Sequence, residues 1–275
     1  MKNKKIVKNI IKSISIYLLG IVFLIPIFWV FSLSLRSKKD ALTAMFFTKD
    51  IHLENYVKAW KTFGFSELYI NSIIVTLISV FITIVIASLA AYSFSRLRYK
   101  GSNIVFYMIL LGMMIPPAAV IIPLFVMMEN LKLYNTLFSL ILSYIAFGLP
   151  IATLILRGFF MSIPPELVEA ARIDGSSEIG TFFRIIIPLS KPAISTVVIF
   201  LFMQNWNEFL LALVLLRDKF LYTLPVGVAN FVGQWDSPWE LVAAGVIIAS
   251  VPVFLLYLFL QDQFVKGLTA GAVKG

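Results

Sequence analysis

Six long apolar runs, at residues 13–35, 73–95, 104–128, 137–160, 193–216 and 241–261, fix what this chain can fold into. As a helix rising about 1.5 Å per residue, each is long enough to cross about 30 Å of hydrocarbon. Isoleucine and leucine occupy every side of the runs, without strand-like alternation, so they predict membrane helices and not the strands of a barrel. A helix satisfies its own backbone in lipid, which an isolated strand does not. Composition agrees: 60% of residues are hydrophobic, 13% are charged and the mean hydropathy is +0.94. Soluble domains are nearer about a quarter charged.

The net charge of +9 belongs to short segments beside the runs, a pattern that suits orientation in a bilayer better than nucleic-acid binding. The opening "MKNKKIVKNIIK" carries five lysines. The run after it is too long for a signal peptide and no A-x-A-like site follows, so an uncleaved anchor is expected. Lysines before the first span place the N-terminus in the cytoplasm, and six spans return the C-terminus there. The loop "RLRYKG" then adds Arg96, Arg98 and Lys100 inside, and 14 of the 23 Lys and Arg residues fall on the cytoplasmic side. The expected division is a cytoplasmic segment 1–12, a six-helix domain 13–261 and a cytoplasmic tail 262–275.

The most charged connection lies between the fourth and fifth runs, "SIPPELVEAARIDGSSEIGTFFRIIIPLSKP" at 162–192. Pro164 and Pro165 suit the start of a helix, where a missing N–H costs nothing, and Glu166 and Glu169 suit its positive end. Gly175 is the expected left-handed stop. Ser177 is a fitting N-cap for a second short helix, which Pro188 closes. At 100° per residue Leu167, Val168, Ala170 and Ala171 share one side of the first helix, while Glu166, Glu169 and Arg172 take the other with Ile173 among them. Two uses fit this pattern: a small docking surface, or an amphipathic connector at the lipid headgroups.

"EAARIDG" followed by "SSEIGTFFRIIIPLS" resembles the EAA loop of bacterial ABC importer permeases, whose pattern is E-A-A, three residues, Gly, nine residues, then I-x-L-P. Glu169, Ala170, Ala171, Gly175, Ile185 and Pro188 match it, with Ile187 in place of leucine. The resemblance implies that Glu169, Ala170, Ala171, Arg172, Ile173, Gly175 and Pro188 belong to a coupling helix seated in a cleft of an ATPase subunit. The chain has no G-x-x-x-x-G-K-[ST] loop and no soluble stretch large enough for a nucleotide-binding domain, so ATP and Mg are expected on that separate subunit, with no cofactor on this chain. "HLENYVKAW", "NSIIVTL", "AAYSFSRLRYKG", "MIPPAAVIIPLF", "QNWNEFLLALVLL" and "FVKGLTAGAVKG" are similar to the second permease subunit of maltose-type carbohydrate importers. That implies an ABC type I importer permease fold, all-α and integral to a bacterial cytoplasmic membrane. Its implied partners are a homologous second permease, two ATPase subunits and an extracytoplasmic sugar-binding protein.

Gln204, Asn205, Asn207 and Glu208 sit inside the fifth run. A charge at mid-bilayer costs about 3 kcal/mol or more, so Glu208 must face a partner or water. The cluster therefore either lines a sugar pathway or bonds neighbouring helices together. Prolines 26, 116, 117, 123, 150 and 252 fall within runs, and Pro116 to Pro123 are expected to break the third, which can line a cavity at the bend. In the outer loop 217–240 the resemblance implies contact with the sugar-binding protein, assigned to Gly227, Asn230, Phe231, Gly233, Gln234 and Trp235. Trp235 and Trp239 also fit ordinary interface anchors. The tail from Gly267 onward either touches the ATPases or is a loose terminus.

Other classes fit less well. With no cysteine, a single histidine (His52) outside the runs and no intramembrane carboxylate pair, the sequence has no constellation for an intramembrane enzyme or a metal site. An ion-coupled transporter is expected to show repeats and several midplane ionisable groups, and only Glu208 is of that kind.

Overall fold

The computed structural model describes residues 2–43, 50–97, 99–232 and 237–272, with side chains over 12–43, 50–97, 99–232 and 237–262. Among the described residues every regular element is helical. The α-helices are α1 (Lys2–Ser34), α2 (Glu54–Thr62), α3 (Phe65–Arg96), α4 (Ser102–Leu111), α5 (Pro117–Asn130), α6 (Leu137–Ser162), α7 (Pro165–Ile173), α8 (Glu178–Thr181), α9 (Ile187–Leu189), α10 (Lys191–Trp206), α11 (Leu210–Leu215), α12 (Leu224–Ala229) and α13 (Trp239–Ala272).

Among the described residues four unbroken helices are long and apolar enough to cross a membrane, at Lys12–Ser34, Phe65–Arg96, Leu137–Ser162 and Trp239–Asp262. Two bent pairs raise the number to six when each counts as one: Ser102–Met114 with Pro117–Asn130, bent by 100°, and Glu178–Leu189 with Lys191–Trp206, bent by 75°. The third run breaks where Pro116 and Pro117 withhold two N–H groups, as expected. Pro26, Pro150 and Pro252 instead lie inside the continuous helices α1, α6 and α13, each removing one bond from a ladder long enough to absorb it. The fifth run was expected to be one helix over 193–216. It is two, because the chain leaves helical geometry at 207–209 between α10 and α11. At ~24 Å, α10 alone falls short of the hydrocarbon, and α11 adds ~9 Å.

The chain forms two compact units. The first comprises Met1–Phe65 and Val228–Val251. In it Arg36, buried at the end of α1, donates to the Thr43 carbonyl at 3.0 Å and to Ser32 Oγ at 3.2 Å, with its guanidinium 4.8 Å from the Trp29 ring centroid. Asn55 of α2 donates back to the carbonyls of Ser34 and Arg36, at 3.0 and 2.8 Å, which closes this corner.

The second unit comprises Ser66–Gly227 and Pro252–Gly275, and α6 is its spine. Leu140, Ala152, Leu156 and Phe160 are fully buried along it. Val75, Tyr144, Leu211, Leu215 and Val226 pack into the same core as Leu140. Gly148 permits the crossing of α6 with α10 and α3: a Cβ there would lie 2.9 Å from Leu201 Cδ2 and 3.4 Å from Thr83 Cγ2. Small residues at a crossing let helices approach without a hydrophobic force between them.

Candidate functional site

The loop 162–192 folds much as its residues predict. Pro165 opens α7, and Gly175 closes it at φ +80°, the left-handed conformation glycine adopts without strain. Gly175 N–H donates to the Arg172 carbonyl at 3.0 Å and Ser176 N–H to the Ala171 carbonyl at 2.9 Å, the paired bonds of a Schellman stop. Ser177 caps α8 by accepting from Gly180 N–H at 3.1 Å. Pro188 does not end the second helix as expected. A π-helical stretch, Phe182–Ile186, runs into α9, and the chain turns only at Ser190. Pro188 has no N–H to offer the carbonyl four residues back, so the ordinary α ladder is interrupted there.

The buried face of α7 is narrower than the sequence suggests. Val168 and Ala171 are buried, whereas Leu167 and Ala170 stay exposed beside Glu166, Glu169 and Arg172. Ile173 is 86% exposed and Ile179 72% exposed. Apolar knobs thus stand exposed beside charged side chains.

A brace that the sequence did not reveal ties this loop to α3. Arg172 Nε donates to Glu178 Oε1 at 2.9 Å, across the Gly175 turn, with Nη2 at 2.8 Å from the same oxygen. Glu178 Oε2 accepts from Tyr92 Oη of α3 at 2.7 Å, and the Tyr92 ring lies 5.3 Å from that of Phe182. Four residues further along α3, on the next turn, Arg96 donates through Nη2 to the carbonyls of Phe160 and Ile163, where α6 gives way to the loop. The opposite charges of Arg172 and Glu178 flanking a glycine turn were a usable signal. Tyr92 stands 86 residues from its partner and gave none.

In the fifth span the polar cluster separates into two kinds of group. Glu208 is held wholly within the fold: Oε1 accepts from Leu211 N–H at 2.7 Å, and Oε2 accepts from Ala212 N–H at 3.1 Å and from Tyr144 Oη at 2.9 Å. It satisfies the first N–H groups of α11, which is why the run breaks at 207–209. Asn205 is buried and donates to Ser79 Oγ of α3 at 3.0 Å, and Asn207 donates to the Met203 carbonyl at 2.8 Å. Gln204 is exposed and faces a cavity of about 210 Å³, walled by Gly112, Met113, Ile115, Phe147 and Phe200 among others. The cavity sits at the bend of the third span.

The residues assigned to binding-protein contact in the loop 217–240 also part company. Gly227 is buried, and a Cβ on it would fall 2.3 Å from Leu68 Cδ1, so its role is close packing and not surface contact. Asn230 is exposed, and Phe231 stacks on Phe63 at 3.8 Å between centroids. Gly233, Gln234 and Trp235 lie outside the described residues, as do Arg98 and the end of the tail, 273–275. Among the described residues no group of three or more His, Cys, Asp or Glu could hold a metal ion.

The family model described as "Binding-protein-dependent transport system inner membrane component" matches residues 83–270, which includes the loop, the brace and the polar cluster. This chain belongs to that family. The permease is 37% identical over 254 residues to the trehalose transport system permease protein SugB of Mycobacterium tuberculosis, covering 92% of this chain and 93% of the relative. It is 36% identical over 275 residues to the trehalose/maltose transport system permease protein MalG of Thermococcus litoralis, covering 99% of each. Its fold matches a chain in the crystal structure of a bacterial ABC transporter that imports the acidic polysaccharide alginate, with a TM-score of 0.81 and 25% identity over 94% of this permease and 96% of that chain.

Proposed function

We propose that this permease is one of two transmembrane subunits of an ATP-driven, binding-protein-dependent importer of sugars or oligosaccharides in a bacterial cytoplasmic membrane. It has six spans with both termini in the cytoplasm, a companion permease, and two ATPase subunits made as separate chains that carry the ATP and Mg. The observation that carries this reading is α7, an exposed helix outside the spans that sets Ile173 and Leu167 among Glu166, Glu169 and Arg172. Exposed apolar side chains on a charged, firmly terminated helix suit a cleft in another protein. The brace from Glu178 to Tyr92 gives any force on that helix a direct route into α3. The trehalose and maltose relatives support a carbohydrate as the solute.

ATPase closure, felt through Glu169, Ala170, Ala171, Arg172, Ile173 and Gly175, tilts the spans and turns the cavity outward. An external binding protein then delivers its sugar, with Asn230, Phe231, Gly233, Gln234 and Trp235 of the outer loop in reach of it. Each state is favoured by differential contacts, ATPase closure inside and binding-protein docking outside. The test is affinity purification of the tagged chain in mild detergent, with mass spectrometry of what stays bound. Recovery of an ATPase, a second permease and a sugar-binding protein is expected. A chain that purifies alone and moves solute in vesicles without ATP refutes the reading.

A further inference from the structure

We propose that the cavity at the bend of the third span is a subsite for one pyranose ring, so that this subunit touches the solute itself, with Gln204 as its hydrogen-bonding residue. The proposal rests on the sugar-importer reading above.

Three observations lead to it. The first is elimination within one cluster. Asn205, Asn207 and Glu208 all have intramolecular partners, on Ser79, on the Met203 carbonyl, and on Tyr144 with two N–H groups of α11. Gln204, near the end of α10, is the member that lines a cavity. An amide in a span that faces only hydrocarbon is costly, so its occupant must offer hydrogen-bonding atoms.

The second is the wall opposite. The 100° bend brings Gly112, Met113 and Ile115 into the cavity lining. A helix end strands up to four carbonyls without intrahelical partners. One of these, on Gly112, accepts from Ile115 N–H, and Pro116 and Pro117 contribute no N–H at the break. Irregular backbone at membrane depth is tolerated where it lines a cavity, and discontinuous helices form solute sites for that reason. The amide of Gln204, a donor and an acceptor at once, matches the paired donor and acceptor character of hydroxyl groups.

The third is size and lining. Phe200 and Gln204 are four apart on α10, and Phe147 and Ile151 four apart on α6, so each pair projects from one face. Two aromatic rings beside an amide fit the two faces of a sugar ring, apolar C–H against the π-system and hydroxyls against the polar group. At about 210 Å³ the space lies below the roughly 300 Å³ at which drug-sized pockets begin. It suits a single ring. An oligosaccharide would extend beyond it toward the companion permease.

The test uses the complete transporter in vesicles loaded with ATP. Trehalose, maltose, melibiose and raffinose serve as probes, and whichever the wild type imports is used. Gln204→Leu keeps the shape and removes the amide. It is expected to lower uptake about three- to tenfold, the loss of one or two hydrogen bonds to the solute. ATP hydrolysis stimulated by the loaded binding protein should stay within about twofold of wild type. Because the chain has no cysteine, Gln204→Cys supplies a unique thiol on it. Labelling by a small methanethiosulfonate reagent, located by mass spectrometry, is expected to slow severalfold when sugar-loaded binding protein and ATP are present.

Wild-type uptake by Gln204→Leu, or labelling indifferent to sugar, overturns the subsite and leaves the importer reading intact. Failure of Gln204→Leu to assemble with its companion also overturns it, since a side chain of that companion then fills the cavity. Absence of ATP-dependent uptake of every probe by the wild type counts against the importer reading itself, and the subsite falls with it.

Discussion

The loop 162–192 and the stretch 204–208 both set ionic or amide groups against long apolar sequence, and this permease uses them in opposite ways. In the loop the charges of α7 are exposed, and the ion pair of Arg172 with Glu178 leaves both side chains 44% exposed. In the span the half-buried carboxylate of Glu208 takes three donors from its own fold. Water makes a charge inexpensive to display, so a surface charge is free to serve a partner. In a low-dielectric span an unmet charge is costly, so the half-buried carboxylate of Glu208 is first of all a structural group, and an amide such as Gln204 is left to meet the solute.

The sharpest way to break that contrast is Glu208→Ala. It strips two N–H groups of α11 and Tyr144 Oη of their acceptor. Stability should fall by about 2–4 kcal/mol, read as a drop in the thermal unfolding midpoint in detergent or as loss of folded protein. Glu208→Gln keeps one acceptor oxygen and should fall between. An alanine variant as stable as wild type would show that the carboxylate is not holding the fold together.

Asn205→Leu sharpens the contrast at a smaller scale. It deletes one bond between α10 and α3, but Ser79 Oγ keeps a bond to the Val75 carbonyl at 2.6 Å. Since Ser79 is not orphaned, the loss should be about 1 kcal/mol by the same measurement. A loss as large as that of Glu208→Ala would mean that the two groups act as one network.

The lengths of the spans were legible because hydrophobic length is a local property, and the break in the third was written in Pro116 and Pro117. The break in the fifth was not. No proline or glycine stands at 207–209, and its cause is a carboxylate that caps α11 while bonding a tyrosine 64 residues earlier. The start and stop of α7 were legible from Pro165 and Gly175. Which of its apolar residues are buried was not, because that depends on neighbours along α3 and α6. Gly227 misled for a similar reason: in sequence it is a flexible loop glycine, and in space it is where Leu68 occupies the room for a Cβ. Motif reading found the surface that a partner touches, and distances were needed to find Tyr92 and Glu178 behind it.

That brace supplies the prediction with the smallest effect on stability. Tyr92→Phe removes one hydroxyl bond and keeps the ring against Phe182. Glu178→Gln weakens a half-exposed ion pair and leaves an oxygen for Tyr92. Each should cost less than about 1 kcal/mol, close to the limit of a detergent melting curve. If the brace only holds the loop in shape, nothing else should change. If it carries motion from α7 into α3, ATP hydrolysed per sugar imported should rise in both variants, and more in the double variant Tyr92→Phe/Glu178→Gln, while binding of the ATPase to α7 stays normal. Helices that slip against one another need lose no stability to lose coupling, so the ratio, and not the melting temperature, is the quantity that decides.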